Sequence, residues 1–125
     1  TSKRVDGEKT HKDLDVWKLS IQLVKDIYQL TSKFPSEEKF GLVAQIRRAA
    51  VSIPSNISEG AARNSDKDYI RFLYISLGSL SEIETQLIIA EELGFSDTTG
   101  ELMDKVEILR PKLLNLIKYL KTKDS

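Results

Sequence analysis

The chain has 125 residues, 19 Lys plus Arg against 19 Asp plus Glu, 40% apolar and 30% charged side chains, and no cysteine. That is enough for one buried core and too little for two, with a globular rather than a disordered composition. Zero formal charge excludes a protein that grips nucleic acid over its whole surface, although not a local basic patch; the missing cysteines exclude disulfides and thiolate zinc sites.

No apolar run is long enough to span a bilayer and no basic–apolar signal segment opens the sequence, so a soluble, cytoplasmic protein without membrane contact is expected. Residues 1–12 are almost devoid of apolar side chains and read as a flexible tail carrying the single histidine, His11; residues 13–122 read as one domain. Leu14, Trp17, Ile21, Val24 and Tyr28 then recur at steps of three and four, with Leu23, Ile27 and Leu30 widening the stripe. Asp13 or Asp15 can cap this first helix, 14–33, and Phe34-Pro35 ends it.

Ser36 followed by Glu37 and Glu38 has the form of a helix start. Val43, Ile46, Ala50, Ile53, Ile57 and Ala61 give the second helix, 37–62, its apolar face. Pro54 lies inside it, which costs about 3 kcal/mol in a helix interior. The apolar register runs unbroken through the proline and favours a kink over a break. Ser65, with Asp68 three residues on, caps a third helix, 66–93, striped by Tyr69, Phe72, Leu73, Ser76, Leu80, Ile83, Leu87 and Ala90 and ended by Gly94. Ser96 or Asp97 opens the fourth, 98–121, where Leu102, Val106, Leu109, Leu113, Leu116 and Leu120 form a heptad seam that also contains Pro111. Short connections force neighbouring helices to alternate in direction, so an all-α, antiparallel up-down-up-down four-helix bundle is expected.

Reacting groups are missing. Helical metal sites need inward-facing carboxylate or His pairs three or four apart, and Glu82 and Glu84 are two apart. Nucleophile elbows and phosphate-binding glycine loops are absent, and no arginine has a histidine four to six residues behind it, as the small helical ribonucleases do. No enzymatic activity, metal, cofactor or small-molecule substrate is expected. The positive charge that concentrates is Arg47-Arg48 and Arg63. Residues 35–65 carry four cations against three anions, and 66–94 carry two against six. These arginines can pair phosphate, or they can pair carboxylates of the third helix such as Glu82, Glu84, Glu91 or Glu92. Small residues crowd 49–62, Asn56 and Glu59 share a face, Gly60 implies a close contact or a stop, and Gly78-Ser79 reads as a small spot for close helix packing.

Several ordered motifs accompany these features: Asp-Leu-x-Val-Trp at 13–17, Phe34-Pro35 with Glu38, Gly-Leu-x-x-Gln-x-Arg-Arg-Ala-Ala-x-Ser-Ile from Gly41 through Gln45 to Ile53, Asn-Ile-x-Glu-Gly at 56–60, and Gly78-Ser79 with Glu82. On these residues the sequence resembles the bacterial four-helix-bundle proteins encoded in intervening sequences of 23S rRNA genes, also called S23 ribosomal proteins. The resemblance implies a homo-oligomer, typically a pentameric ring, with no established catalytic activity and an association with RNA. It is similar at greater distance to the accessory protein of diversity-generating retroelements, a pentameric bundle thought to bind nucleic acid. The expectation is a non-enzymatic oligomer that binds RNA or DNA, RNA above all, through Arg47, Arg48 and Arg63 repeated around a ring. The alternative is a protein-interaction scaffold without nucleic-acid affinity. Surplus apolar positions such as Val16, Leu19, Met103, Ile108, Leu114 and Ile117 point to a second buried face in either case.

Overall fold

A computed structural model describes residues 11–123, with side chains from 13 onward. Four helices follow one another: α1 His11–Thr31, α2 Leu42–Ala61, α3 Asp66–Glu92 and α4 Gly100–Lys123, with a short 3-10 turn at Ser36–Glu38. Each packs on its chain neighbours and α4 closes against α1, giving the expected all-α antiparallel bundle. The tail expected over 1–12 lies outside the described residues except at its end, where α1 has already begun.

The stripes of α3 and α4 are buried as their spacing requires: Tyr69, Leu73, Leu80, Ile83 and Leu87 face Val106, Leu109, Leu113 and Leu116 across one continuous core. In α1 the buried line is instead Val16, Ser20, Leu23 and Ile27, while Leu14, Trp17 and Tyr28 lie on the rim, 37–44% exposed. Helix α1 is apolar on two adjoining faces, and the core takes the inner one.

Helix ends follow local chemistry. The Ser65 hydroxyl accepts from the Asp68 amide at 3.2 Å and caps α3. At the far end Gly94 turns left-handed (φ 77°), Phe95 N–H donates to Ala90 C=O and Gly94 N–H to Glu91 C=O, the paired bonds of a Schellman stop. Besides that of α1, at 11 rather than 14, two expected starts move. Helix α2 begins at Leu42 rather than 37, because Phe34 folds inward beside Phe95 and Pro35-Ser36 spends its geometry on the 3-10 turn. The carboxylate of Glu38, not Ser36, then meets the Leu42 amide at 3.3 Å. Helix α4 begins at Gly100 rather than 98, and the Ser96 hydroxyl accepts from Thr98 N–H in the loop before it.

Pro54 and Pro111 both sit inside continuous helices. Around Pro54 extra donors gather on neighbouring carbonyls. Asn56 Nδ2 reaches Ser52 O at 2.8 Å and, from α3, Ser76 Oγ reaches Ile53 O at 3.0 Å, so polar side chains of both helices serve the carbonyls beside the proline. Ion pairs tie α4 to its neighbours: Lys105 to Asp26 and Lys112 to Asp15 on α1, Arg110 to Glu84 on α3.

Candidate functional site

The three arginines of the sequence motif part company in the folded chain. Arg47 and Arg48 lie near the start of α2. Arg63 follows its end, about 20 Å away at 1.5 Å per helical residue. Arg63 is spoken for: Nη2 donates to Glu59 at 2.8 Å, Nε lies 3.8 Å from Asp68, and the guanidinium covers the Phe72 ring at 4.8 Å. Arg47 is half-buried and turns back on the end of α1. Its Nε donates to the Thr31 hydroxyl at 2.9 Å, Nη2 to the Tyr28 carbonyl at 3.3 Å, and its Cζ lies over the Tyr28 ring, 4.4 Å from the centre. That contact serves the negative end of the α1 dipole. No carboxylate neutralises Arg47 among the described residues. Arg48 is exposed and has neither ion pair nor hydrogen bond among them. None of the three pairs a carboxylate of Glu82, Glu84, Glu91 or Glu92; Glu84 is held by Arg110 at 2.7 Å.

What joins Arg47 and Arg48 is a pair of residues outside the motif's arginines. Tyr28, Lys39, Phe40, Val43, Ala44, Arg47, Arg48 and Val51 line one open concavity of about 510 Å³ at the junction of α1, the 34–41 connection and α2. Among the described residues that line it, three are cations and none is a carboxylate, in a protein whose charges balance overall. Phe40 stands beside it 89% exposed, with Lys39 Nζ 5.6 Å from the ring centre. At the other end of the same α1–α2 face, Leu14, Trp17, Ile57, Ser58 and Ala61 line a hollow of about 290 Å³. Among the described residues, the charged side chain lining it is Asp13, which accepts from the Tyr69 hydroxyl at 2.5 Å.

The remaining motif residues divide between framework and surface. Gly60 is framework: a Cβ there would stand 2.7 Å from Tyr69 Cδ1 and 2.8 Å from Phe72 Cβ. The four-residue turn between α2 and α3 forces this close crossing, and the crossing places Tyr69 for its bond to Asp13. Ser79 bonds Ser52 at 2.9 Å across the α2–α3 seam, where Asn56 also reaches Ser52 Oγ. Glu82 accepts from Gln86 at 3.2 Å, and Gln45 is exposed. Gly78 corrects the sequence reading. It faces outward, and a Cβ added there meets nothing within 4 Å, so it permits no close packing inside this chain. On the same helix Tyr74, Ile75, Ile88 and Ile89 are 40–48% exposed, and Leu93 just after it is 59% exposed.

Lys39 and Phe40 were not separable by sequence, because a helix starting at 37 absorbs both into its first turn. The one signal is the Gly41 that follows them and ends the connection. No group of three or more His, Asp or Glu side chains is close enough to hold a metal ion among the described residues. No helix of the described residues is long and apolar enough to cross a membrane.

No curated protein matches the chain. The fold is similar to the crystal structure of a protein of unknown function from the S23 ribosomal protein family of Bacteroides thetaiotaomicron. The TM-score is 0.78 at 26% identity, over 86% of this chain and 98% of that one. The sequence profile of the 23S rRNA-intervening sequence proteins matches residues 12–115, a span that contains the Asp13–Trp17, Gly41–Ile53 and Asn56–Gly60 segments. The chain therefore belongs to the family of 23S rRNA-intervening sequence proteins.

Proposed function

We propose that the protein is a non-enzymatic, self-associating bundle that binds nucleic acid, RNA in first place, through the basic concavity at the start of α2. The observation that carries this reading is the gathering of Lys39, Arg47 and Arg48 around one surface hollow without a carboxylate in its lining. Arginine pairs phosphate in bidentate fashion, and Arg48 has no ion pair or hydrogen bond among the described residues. The family to which the chain belongs takes its name from sequences within 23S rRNA, in keeping with an RNA partner. One such hollow presents few charges, so self-association matters: copies joined in one particle bind a polyanion by avidity that exceeds a single contact by orders of magnitude.

Support for self-association comes from α3. Its outer face combines exposed Tyr74, Ile75, Ile88 and Ile89 with Gly78, whose place in a helix interior costs about 1 kcal/mol and relieves no crowding within the chain. A ring of five copies, as the resemblance implies, is the expected form.

The test is retention of labelled RNA by the purified protein at low salt and micromolar concentration, for wild type and for Lys39→Glu and Arg48→Glu. The proposal expects retention that falls steeply with salt and is lost in both variants, while sedimentation shows the same oligomer. Absence of retention by wild type sinks it. Variants that fall apart as oligomers support the rival reading, a protein scaffold in which these cations bridge subunits.

A further inference from the structure

We infer that the concavity takes an unpaired stretch of RNA, with one nucleobase stacked on Phe40 and the flanking phosphates held by Lys39 and Arg48. This deepens the function proposed above and rests on it. Phe40 is the most exposed of the large apolar side chains of the described residues, at 89%, and its neighbours explain why the fold leaves it there. Phe34 is the aromatic that anchors the α1–α2 connection, buried against Val43 and Ala90 and 5.7 Å from Phe95. The connection is thus fully fastened without Phe40, whose ring contributes nothing to the core.

Its surroundings specify the occupant. Lys39 Nζ stands 5.6 Å from the ring centre, and Arg48 is free on the next turns of α2. Beside them the Arg47 guanidinium sits over the Tyr28 ring, its Cζ 4.4 Å from the ring centre, and is held there by the Thr31 hydroxyl. An exposed aromatic face in a basic groove is the arrangement by which proteins hold single strands, since every base has a π-face to stack and every linkage a phosphate to pair. A duplex offers the phosphates alone, because its bases are already stacked on one another. A second copy of this chain presenting the same hollow is disfavoured: three cations would face three cations with no carboxylate between them.

The experiment measures fluorescence anisotropy of a labelled oligouridine and of an RNA duplex of equal phosphate count, with wild type, Phe40→Ala and Phe40→Trp. Because Phe40 is outside the core, both variants should keep the wild-type helicity and melting temperature. Wild type should prefer the single strand. Phe40→Ala should weaken oligouridine binding by about 5- to 100-fold, the effect of losing one stacked base, and leave duplex binding within about twofold. Phe40→Trp, placed in a Trp17→Phe background, should restore binding, and its emission should be quenched by oligouridine and not by heparin. If Phe40→Ala weakens both RNAs equally or neither, stacking is refuted while the basic hollow stands as a nucleic-acid site. If wild type binds neither RNA, this inference and the proposed function fall together. If Phe40→Ala changes the oligomer mass in the absence of RNA, Phe40 is covered by another copy and the inference is overturned.

Discussion

Replacing Gly60 by alanine sets two physical effects of opposite sign against each other. In an exposed helix interior the change is favourable by about 0.5–1 kcal/mol, since alanine loses less backbone entropy on folding. Here the added methyl would stand 2.7 Å from Tyr69 Cδ1 and 2.8 Å from Phe72 Cβ. Neither atom is the free end of a flexible chain: one is in a fully buried ring and the other is bonded to the α3 backbone. Overpacking of this kind costs about 1–3 kcal/mol. Relief by shifting α3 outward would also pull the Tyr69 hydroxyl from Asp13, a charge-assisted bond of the class that contributes about 1.5–3 kcal/mol. The net expectation for Gly60→Ala is destabilisation by about 1–3 kcal/mol. Urea unfolding followed by far-UV circular dichroism, at one fixed protein concentration, reads it as a lower midpoint at unchanged slope. In a Tyr69→Leu background the ring is gone, so the cost of Gly60→Ala should shrink, and the difference measures the coupling. A rise in midpoint for Gly60→Ala in the wild-type background refutes the close-crossing argument.

Gly78→Ala has the opposite expectation, because its Cβ meets open space: the chain's folding stability should rise by about 0.5–1 kcal/mol in denaturant melts, while the bulkier Gly78→Trp should lower the oligomer mass in sedimentation if copies meet on α3. Tyr69→Phe removes the hydroxyl that donates to buried Asp13 and should cost about 1.5–3 kcal/mol by the same melts, whereas Tyr74→Phe, on the exposed face, should cost well under 1 kcal/mol. Glu38→Ala deprives the Leu42 amide of its acceptor and should lower stability by about 0.5–2 kcal/mol, with Ser36→Ala, at the position the sequence favours as the cap, close to neutral.

The bundle itself was legible because α3 and α4 each carry one long apolar stripe at unbroken steps of three and four. Their spacing leaves a single way to hide Leu73, Leu80, Ile83 and Leu87 against Val106, Leu109 and Leu113. Local signals that act within a turn were equally readable, as at the Ser65 cap and the Gly94 stop. Helix α1 was ambiguous for a physical reason: Leu14, Trp17 and Tyr28 form as good a stripe as Val16, Leu23 and Ile27, and only the placement of α2 and α4 decides between them. The start of α2 shifted because a capping carboxylate at Glu38 competes with the Ser36 hydroxyl, a contest set by how Phe34 anchors the loop. That shift hid the candidate site. With α2 starting at 37, Lys39 and Phe40 are ordinary first-turn residues, and the basic residues reduce to Arg47, Arg48 and Arg63. The folded chain instead commits Arg63 to Glu59 and Asp68 and sets Lys39 beside Arg47 and Arg48.

The central claim is that phosphate is met at the start of α2 and not at its end. It is tested most directly by the salt dependence of oligouridine affinity in wild type, the Lys39→Ala/Arg48→Ala double variant and Arg63→Ala. Each phosphate contact to a single strand contributes about 0.7 to the slope of log affinity against log salt. The double variant should flatten the slope by at least about 1.4, while Arg63→Ala leaves it unchanged. An unaltered slope in the double variant, or an equal flattening in Arg63→Ala, contradicts the account.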